Sequence, residues 1–266
     1  MLTLKEYCQE TKTRYYQSFA NNRVPVRLER PIISITFDDV PRTALENGVP
    51  ILDRHNIKAT FYVATGLSKD SINKSRDGNI KYESYLYPDD IVELHLSGHN
   101  IACHTYSHYM LDSGSPEGLE RDAYKNIEAL KSILGPVPIE HFSYPFGQVN
   151  FKTKKLLSKY YKSMRSSRPG INLSPTDLNL LRATCIYNPT FNKAQIIKLI
   201  KTTEQYGGWL IFYTHGVEDS PDDYSCTPVQ FEWLIKQCSK STAQLLTVSD
   251  ACNIILSDRA ALINKQ

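Results

Sequence analysis

Pro31-Ile-Ile-Ser-Ile-Thr-Phe-Asp-Asp39 is an apolar run that stops abruptly at two carboxylates. Residues 31–36 carry no charge and read as a buried strand. Residues 44–55 follow with Leu45, Val49 and Leu52 at helical spacing, and Ala59-Thr-Phe-Tyr-Val63 returns to β-branched and aromatic types. Strand, helix and strand in so short a stretch predict a β-α-β unit with parallel strands. The same alternation extends down the chain. Helices are predicted over 88–97, 116–134, 152–161, 192–206 and 229–239, with a closing helix at the end. Strands are predicted over 100–103, 141–144, 180–187, 209–213 and 244–247. The punctuation agrees with these bounds: Pro88-Asp-Asp opens one helix, Gly98 and Gly135-Pro136 stop two others, and Gly207-Gly208 caps a fourth. Seven or eight such units suit a closed or nearly closed α/β barrel better than an open sheet. Residues 1–30 then form an N-terminal extension packed on one barrel domain, residues 31–266. The polar stretch Ser68 to Glu83 is an insertion after a strand, long enough to suggest a role at the mouth, with Tyr82, Tyr85 and Tyr87 beside it.

The bulk composition excludes several classes. The chain has 266 residues, 41% hydrophobic and 22% charged, which is ordinary globular material. A formal net charge of +3 without a dense Lys/Arg block gives no reason to expect nucleic acid. No window approaches a membrane span, and the N-terminus lacks the basic start and apolar core of a secretory signal. Six scattered cysteines (Cys8, Cys103, Cys185, Cys226, Cys238 and Cys252) form no C-x-x-C pair. Reduced thiols in a cytoplasm are therefore expected. The sequence does not address the oligomeric state.

In an α/β barrel, chemistry sits at the C-terminal ends of the strands. Four of the predicted strands end in polar clusters: Thr36-Phe37-Asp38-Asp39, His104-Thr105-Tyr106-Ser107-His108, Tyr144-Pro145-Phe146-Gly147 and Thr214-His215-Gly216. Two histidines four apart with one carboxylate make a three-ligand set for a divalent metal, zinc first among them. Such an ion makes water acidic enough to attack a carbonyl. A second carboxylate can take the proton, another imidazole can protonate a departing amine, and backbone N–H groups can hold an oxyanion. Each piece alone has a structural reading. Paired aspartates cap turns, and single histidines are commonly structural or lie on surfaces, as expected for His55, His95, His99 and His141. Their joint occurrence at four strand ends separates the two readings.

These ordered segments resemble the motifs of the polysaccharide deacetylases, the NodB-homology group also called carbohydrate esterase family four. Asn56-Ile-Lys-Ala-Thr-Phe-Tyr-Val63 and Leu96-Ser-Gly-His-Asn-Ile-Ala-Cys-His104 extend the likeness, which covers roughly residues 31–250. The resemblance implies a distorted (β/α)7 barrel and a metal-dependent enzyme that removes an acyl group from an N-acylated sugar. Asp38 would be the general base, Asp39, His104 and His108 the metal ligands, and His215 the general acid. Phe146, through its backbone N–H, and Tyr144 would face the oxyanion and the substrate.

Two departures carry expectations of their own. Many members have an arginine two positions before the proline of the third motif, where this chain has Ser143; Arg182 is expected to supply the missing guanidinium to Asp38. After Asp39 stands Val40-Pro41-Arg42, where glycine is commoner, and this alters the mouth. The expected substrate is a sugar, or a lipid- or nucleotide-linked precursor of a surface polysaccharide. The alternatives are hydrolysis of another C–N bond, such as a formamido sugar or a cyclic amide, and a carbohydrate-binding barrel without turnover.

Overall fold

The computed structural model describes residues 19, 21–26, 28–68 and 85–263. Seven short strands form the wall: β1 (Ile32–Asp38), β2 (Thr60–Val63), β3 (Asn100–Cys103), β4 (His141–Ser143), β5 (Ser163–Arg165), β6 (Thr184–Cys185) and β7 (Trp209–Thr214). Their hydrogen-bonded order is β5-β4-β3-β2-β1-β7, all parallel, with β6 added to β7. The ring closes just before β6. Leu181 donates its N–H to the Met164 carbonyl at 2.8 Å, and Ser166 donates to the Leu181 carbonyl at 2.9 Å.

Helices follow the strands as parallel pairing requires. They are α1 (Val49–Arg54), α2 (Pro88–Leu96), α3 (Pro116–Leu134), α4 (Phe151–Leu157), α5 (Lys193–Tyr206), α6 (Pro228–Ser239) and α7 (Val248–Ile263). Two irregularities distort the barrel. No helix joins β5 to β6; Ile171–Asn172 instead runs antiparallel along Trp209 and Leu210. A short β8 (Gln244–Leu245) pairs with Ile32 and Ile33, while β2 reaches only the upper half of β1, at Thr36 to Asp38.

Strand alternation decides what faces the interior. On β1, Ile33, Ile35 and Phe37 pack outward into the sheet–helix core, where the Phe37 ring stacks on Phe61 at 4.9 Å. Ile32 packs on the opposite face with Trp209, Ile211 and Tyr213 of β7, and Ser34 on that face accepts a hydrogen bond from Trp209 Nε1 at 2.9 Å. Asp38 shares this face by register. Val248, Ala251, Cys252 and Ile255 of α7, with Val24 and Val26, belong to the same cluster and close the floor of the barrel. Lys154, fully buried, ties the segment before Val24 to α4: its ammonium donates to the Phe19 carbonyl at 3.1 Å and to Asn21 Oδ1 at 2.7 Å, and pairs with Asp177.

The predicted elements differ from the observed ones in four main places. The helix expected over 44–55 begins as a five-residue π-helical turn, Ala44–Gly48, before α1. Pro50 has no N–H to bond back to Glu46, so a wider turn leads into the helix. The helix expected over 152–161 ends at Leu157. The strand expected over 180–187 contracts to Thr184–Cys185, and Ser163–Arg165 forms a strand that was not foreseen. The insertion expected over 68–83 lies outside the described residues except for Ser68, as does Tyr82.

Candidate metal centre and acid–base site

The C-terminal ends of β1, β3, β4, β5 and β7 open into one cavity of about 1200 Å³. Asp38 and Asp39 both reach it, although neighbouring residues of a strand face opposite ways. The backbone resolves this by leaving the β region. Asp39 and Val40 both have φ of 59°, in the left-handed region, which swings the Asp39 carboxylate back toward the mouth. A β-branched residue in that region is a genuine outlier, and strain of this kind clusters at functional sites.

The turn after β3 uses the same device, with Thr105 at φ 63° and His108 at φ 52°. Three supports hold it. Thr105 Oγ1 accepts the Tyr109 N–H at 2.9 Å. Asp122 of α3 accepts the backbone N–H groups of Tyr106 and Ser107 at 2.9 and 2.8 Å. The Gly66 N–H donates to the Tyr106 carbonyl at 2.7 Å, so close that a Cβ on Gly66 would lie 2.4 Å from that oxygen.

Asp39, His104 and His108 converge. Each offers one ligand atom, and these atoms lie within 4.8 Å of one another. Both histidine Nε2 atoms are 3.4 Å from Asp39 Oδ1. That oxygen is buried and accepts no hydrogen bond among the described residues, an arrangement a cation would satisfy. His104 Nδ1 donates to the Ser143 carbonyl at 2.8 Å, which leaves the Nε2 lone pair facing inward. Burial pushes His104 down to about 3 and His108 down to about 4, so both imidazoles are neutral donors. Burial, reinforced by the Asp38 charge and opposed by His215, pushes Asp39 up to about 6. A cation binding there would displace that proton. The residues present therefore fit a divalent metal.

Asp38 is held differently. Arg165 Nη2 donates to both of its oxygens, and also to Ser143 Oγ at 2.5 Å. Burial would push the Asp38 carboxyl up, but the Arg165 guanidinium, with His104 and His215, outweighs it and holds the group below its usual value. The guanidinium itself lies between two rings, 4.9 Å from the Tyr62 centroid and 4.7 Å from Tyr213. Arg182 does not serve this purpose. Its Nη1 donates to the Pro169 carbonyl at 3.0 Å, its backbone is tied to Asn172, and its side chain lies over Gly170. The expectation picked the wrong strand. Arg165 sits on β5 in direct register with Ser143 on β4, so the guanidinium has moved one strand across from the position the family motif suggests. Ser163-Met-Arg165 is too short and polar to read as a buried strand. The available signal was the long gap it left between the helix ending near 161 and the next predicted strand.

His215 follows β7. Its Nε2 is 3.9 Å from Asp39 Oδ2, and its ring lies between Tyr187 and Tyr224 at 5.6 and 5.5 Å. Phe146, with φ of 56°, borders the cavity and packs its ring on His108 at 4.3 Å. Tyr144 also borders the cavity, but its side chain is not free for substrate: the ring is buried and the hydroxyl donates to the Asn179 carbonyl at 3.2 Å. Tyr85 lines the mouth, whereas Tyr87 begins α2 under Arg42, whose guanidinium lies 5.1 Å from its ring. His55, His95, His99 and His141 do not line the cavity.

Comparison with known proteins bears on the family and the fold. A chitooligosaccharide deacetylase of Rhizobium leguminosarum bv. trifolii is 29% identical over 110 residues, covering 41% of this chain and 44% of that protein. The chain thus spans less than half the length of that curated relative. Two solved structures share the fold. The peptidoglycan deacetylase PdaC from Bacillus subtilis aligns with TM-score 0.55 and 18% identity over 90% of this chain and 98% of that one. A family 4 acetyl xylan esterase from Clostridium thermocellum, in complex with a cobalt ion, aligns with TM-score 0.55 and 17% identity, covering 84% of this chain and 91% of its own. The family profile described as polysaccharide deacetylase matches residues 26–163, more than half of the sequence, and the chain belongs to that family.

Proposed function

We propose that this protein is a metal-dependent hydrolase that removes an N-acyl group, most simply N-acetyl, from a carbohydrate. The observation that carries the reading is the pairing of a triad fit for a metal with two different acid–base groups at its edges. Asp38 is fixed toward β4 and β5 by Arg165 and by the Ser143 hydroxyl, which donates to Asp38 Oδ2 at 3.5 Å. His215 stands on the β7 side against Tyr187 and Tyr224. A carbohydrate-binding barrel has no use for a buried carboxylate kept ionised by a buried arginine.

A divalent ion, zinc being the natural candidate for one carboxylate and two imidazoles, would polarise the acyl carbonyl and acidify a water. The remaining steps belong to the chain. Asp38, ionised beside Arg165, takes the proton as water attacks. The Phe146 N–H steadies the oxygen of the tetrahedral intermediate. His215 delivers a proton to the nitrogen, which leaves as an amine instead of an amide anion. The five described cysteines are all free thiols, four of them buried, which supports a reducing compartment and hence a sugar, or a nucleotide- or lipid-linked sugar, made there for a surface polysaccharide. No helix among the described residues is long and apolar enough to cross a membrane.

The test is acetate release from N-acetylated sugars: chitooligosaccharides, N-acetylglucosamine and its nucleotide-linked form, each with zinc-loaded and chelator-stripped protein. Metal-dependent acetate release from at least one is the expected result. Zinc bound at one equivalent with no acetate from any of them would overturn the reading.

A further inference from the structure

Resting on the de-N-acetylase reading, we propose that Tyr187 is the positioning residue of the general acid, holding the His215 imidazole by ring stacking where no hydrogen bond from the described residues does so.

A proton donor must point at one atom, and a free imidazole turns about two side-chain bonds. Catalytic histidines are ordinarily fixed by a hydrogen bond from the second ring nitrogen to a carboxylate or carbonyl. Among the described residues, His215 makes no side-chain hydrogen bond. The nearest carboxylate is Asp39, whose Oδ2 lies 3.9 Å from Nε2, beyond hydrogen-bond distance, and whose Oδ1 is assigned to the metal site. Only the backbone of His215 is tied, its N–H donating to the Tyr224 carbonyl at 3.1 Å.

The ring is fixed by aromatic faces instead. Tyr187 lies nearly parallel to it, with centroids 5.6 Å apart and planes 29° apart. Tyr224 meets it at 59° and is 57% exposed. Tyr187 is the rigid member. It packs against the barrel's interior cluster, edge-on to Tyr213 at 5.5 Å and to Tyr224 at 5.7 Å. Tyr213 in turn covers Arg165, the support of Asp38. One continuous chain of ring contacts, Arg165–Tyr213–Tyr187–His215, therefore spans from the base's partner to the acid. In the step it serves, the C–N bond of the tetrahedral intermediate breaks, and the nitrogen keeps the electron pair and takes the imidazolium proton. The carbonyl re-forms as the free acid, and His215 ends neutral.

The experiment uses the zinc-loaded full chain with Tyr187→Phe and Tyr187→Leu, after confirming that zinc content and thermal midpoint match the wild type. Two substrates are compared: the panel sugar that releases acetate fastest, and 4-nitrophenyl acetate, whose leaving group departs without a proton. Tyr187→Phe keeps the stack and should match the wild type on both. Tyr187→Leu should lower kcat on the amide about 10–100-fold, the scale of losing a catalytic orientation, and leave the ester unchanged. A second readout is independent of turnover. The His215 ring protons, assigned by their loss in His215→Gln, should show an upfield ring-current shift in the wild type and Tyr187→Phe that falls in Tyr187→Leu to what Tyr224 alone supplies. An equal fall on amide and ester, no change on the amide, or a ring-current shift undiminished in Tyr187→Leu would overturn the proposal. A wild type that cleaves the ester but no N-acetyl sugar would overturn the de-N-acetylase reading instead, with the ring-current result still deciding whether Tyr187 holds the ring.

Discussion

Replacing Arg165 with methionine isolates what the buried guanidinium does. In the intact protein Asp38 is 5% exposed and Arg165 1% exposed, and the two share a pair of hydrogen bonds. Methionine keeps much of the volume and removes the charge. The Asp38 carboxylate is then buried without a partner, a state that costs about 3–5 kcal/mol if the charge is kept. It escapes by taking a proton, because the burial that Arg165 now outweighs becomes the dominant influence and pushes its pKa up. A protonated Asp38 cannot accept a proton from water, so kcat near neutral pH should fall ~10²–10⁴-fold. The acidic limb of the pH–rate profile should move to higher pH by at least the ~1–3 units that a neighbouring arginine contributes. Zinc content should not change, since Asp39, His104 and His108 are untouched. Two companion variants sharpen the test. Arg165→Met with Asp38→Asn removes both charges and should recover most of the lost stability without activity. Ser143→Arg with Arg165→Ser moves the guanidinium to the paired position on β4 and should restore part of the turnover. The assays are acetate release across pH 5–9, in roughly half-unit steps, and urea unfolding. An Arg165→Met enzyme within about threefold of wild-type kcat, with its acidic limb in place, would refute the argument.

Three further outcomes are expected. Asp39→Ala and His108→Ala should lose zinc by calorimetry, whereas His215→Ala should retain it and lose turnover; equal retention in all three would dissolve the metal site. Gly66→Ala forces a Cβ to 2.4 Å from the Tyr106 carbonyl; urea unfolding should report a loss of about 1–3 kcal/mol, with zinc binding weakened because the His104–His108 turn moves. Stability should fall on acidification through His99 and His141, which burial pushes down from 6.5 to about 4 and about 3. Their folded pKa values lie below the unfolded ones, so their contribution is complete above about pH 6.5 and is lost as pH falls toward 4. At pH 5 each costs about 2 kcal/mol relative to pH 7.5, and His141→Gln should flatten the urea midpoint's pH dependence by its share; an unchanged slope would count against it.

The barrel was legible where hydrophobic periodicity met clear punctuation. Asn100–Cys103 and Pro116–Leu134 fall on their predicted bounds, because Gly98 separates the first from α2 and Ser115, whose Oγ accepts the Gly118 N–H at 3.0 Å, starts the second cleanly. The candidate ligands and acid–base groups were legible because they follow apolar strands at the C-terminal ends. Arg165 was not, for a physical reason. A strand whose inward residues satisfy a buried charge need not be apolar, and Ser163-Met-Arg165 is buried throughout while offering no hydrophobic pattern. Asp122 was invisible for a related reason: it sits on α3, distant in sequence from the turn whose N–H groups it accepts.

The backbone outliers gather where the chemistry is proposed. Among the described residues six non-glycine positions have positive φ, and five of them are Asp39, Val40, Thr105, His108 and Phe146. Each lies within the first few residues after a barrel strand, and each such departure costs of order 1–3 kcal/mol. A regular strand end offers one inward side chain and then points the next outward. Two consecutive carboxylates, or two histidines four apart outside any helix, reach one cavity only if the chain reverses its direction between them. The left-handed residues make that reversal, and the contacts from Asp122, Gly66 and Thr105 keep it in place. Relaxing one of these turns should therefore stabilise the fold and harm the site together. Val40→Gly tests this. Glycine removes the Cβ penalty at φ 59° but frees Asp39 to wander. Urea unfolding should show the variant at least as stable as the wild type, while calorimetry shows weaker zinc binding. A variant that is both less stable and unaltered in zinc affinity would mean that the strain at Val40 has nothing to do with placing Asp39.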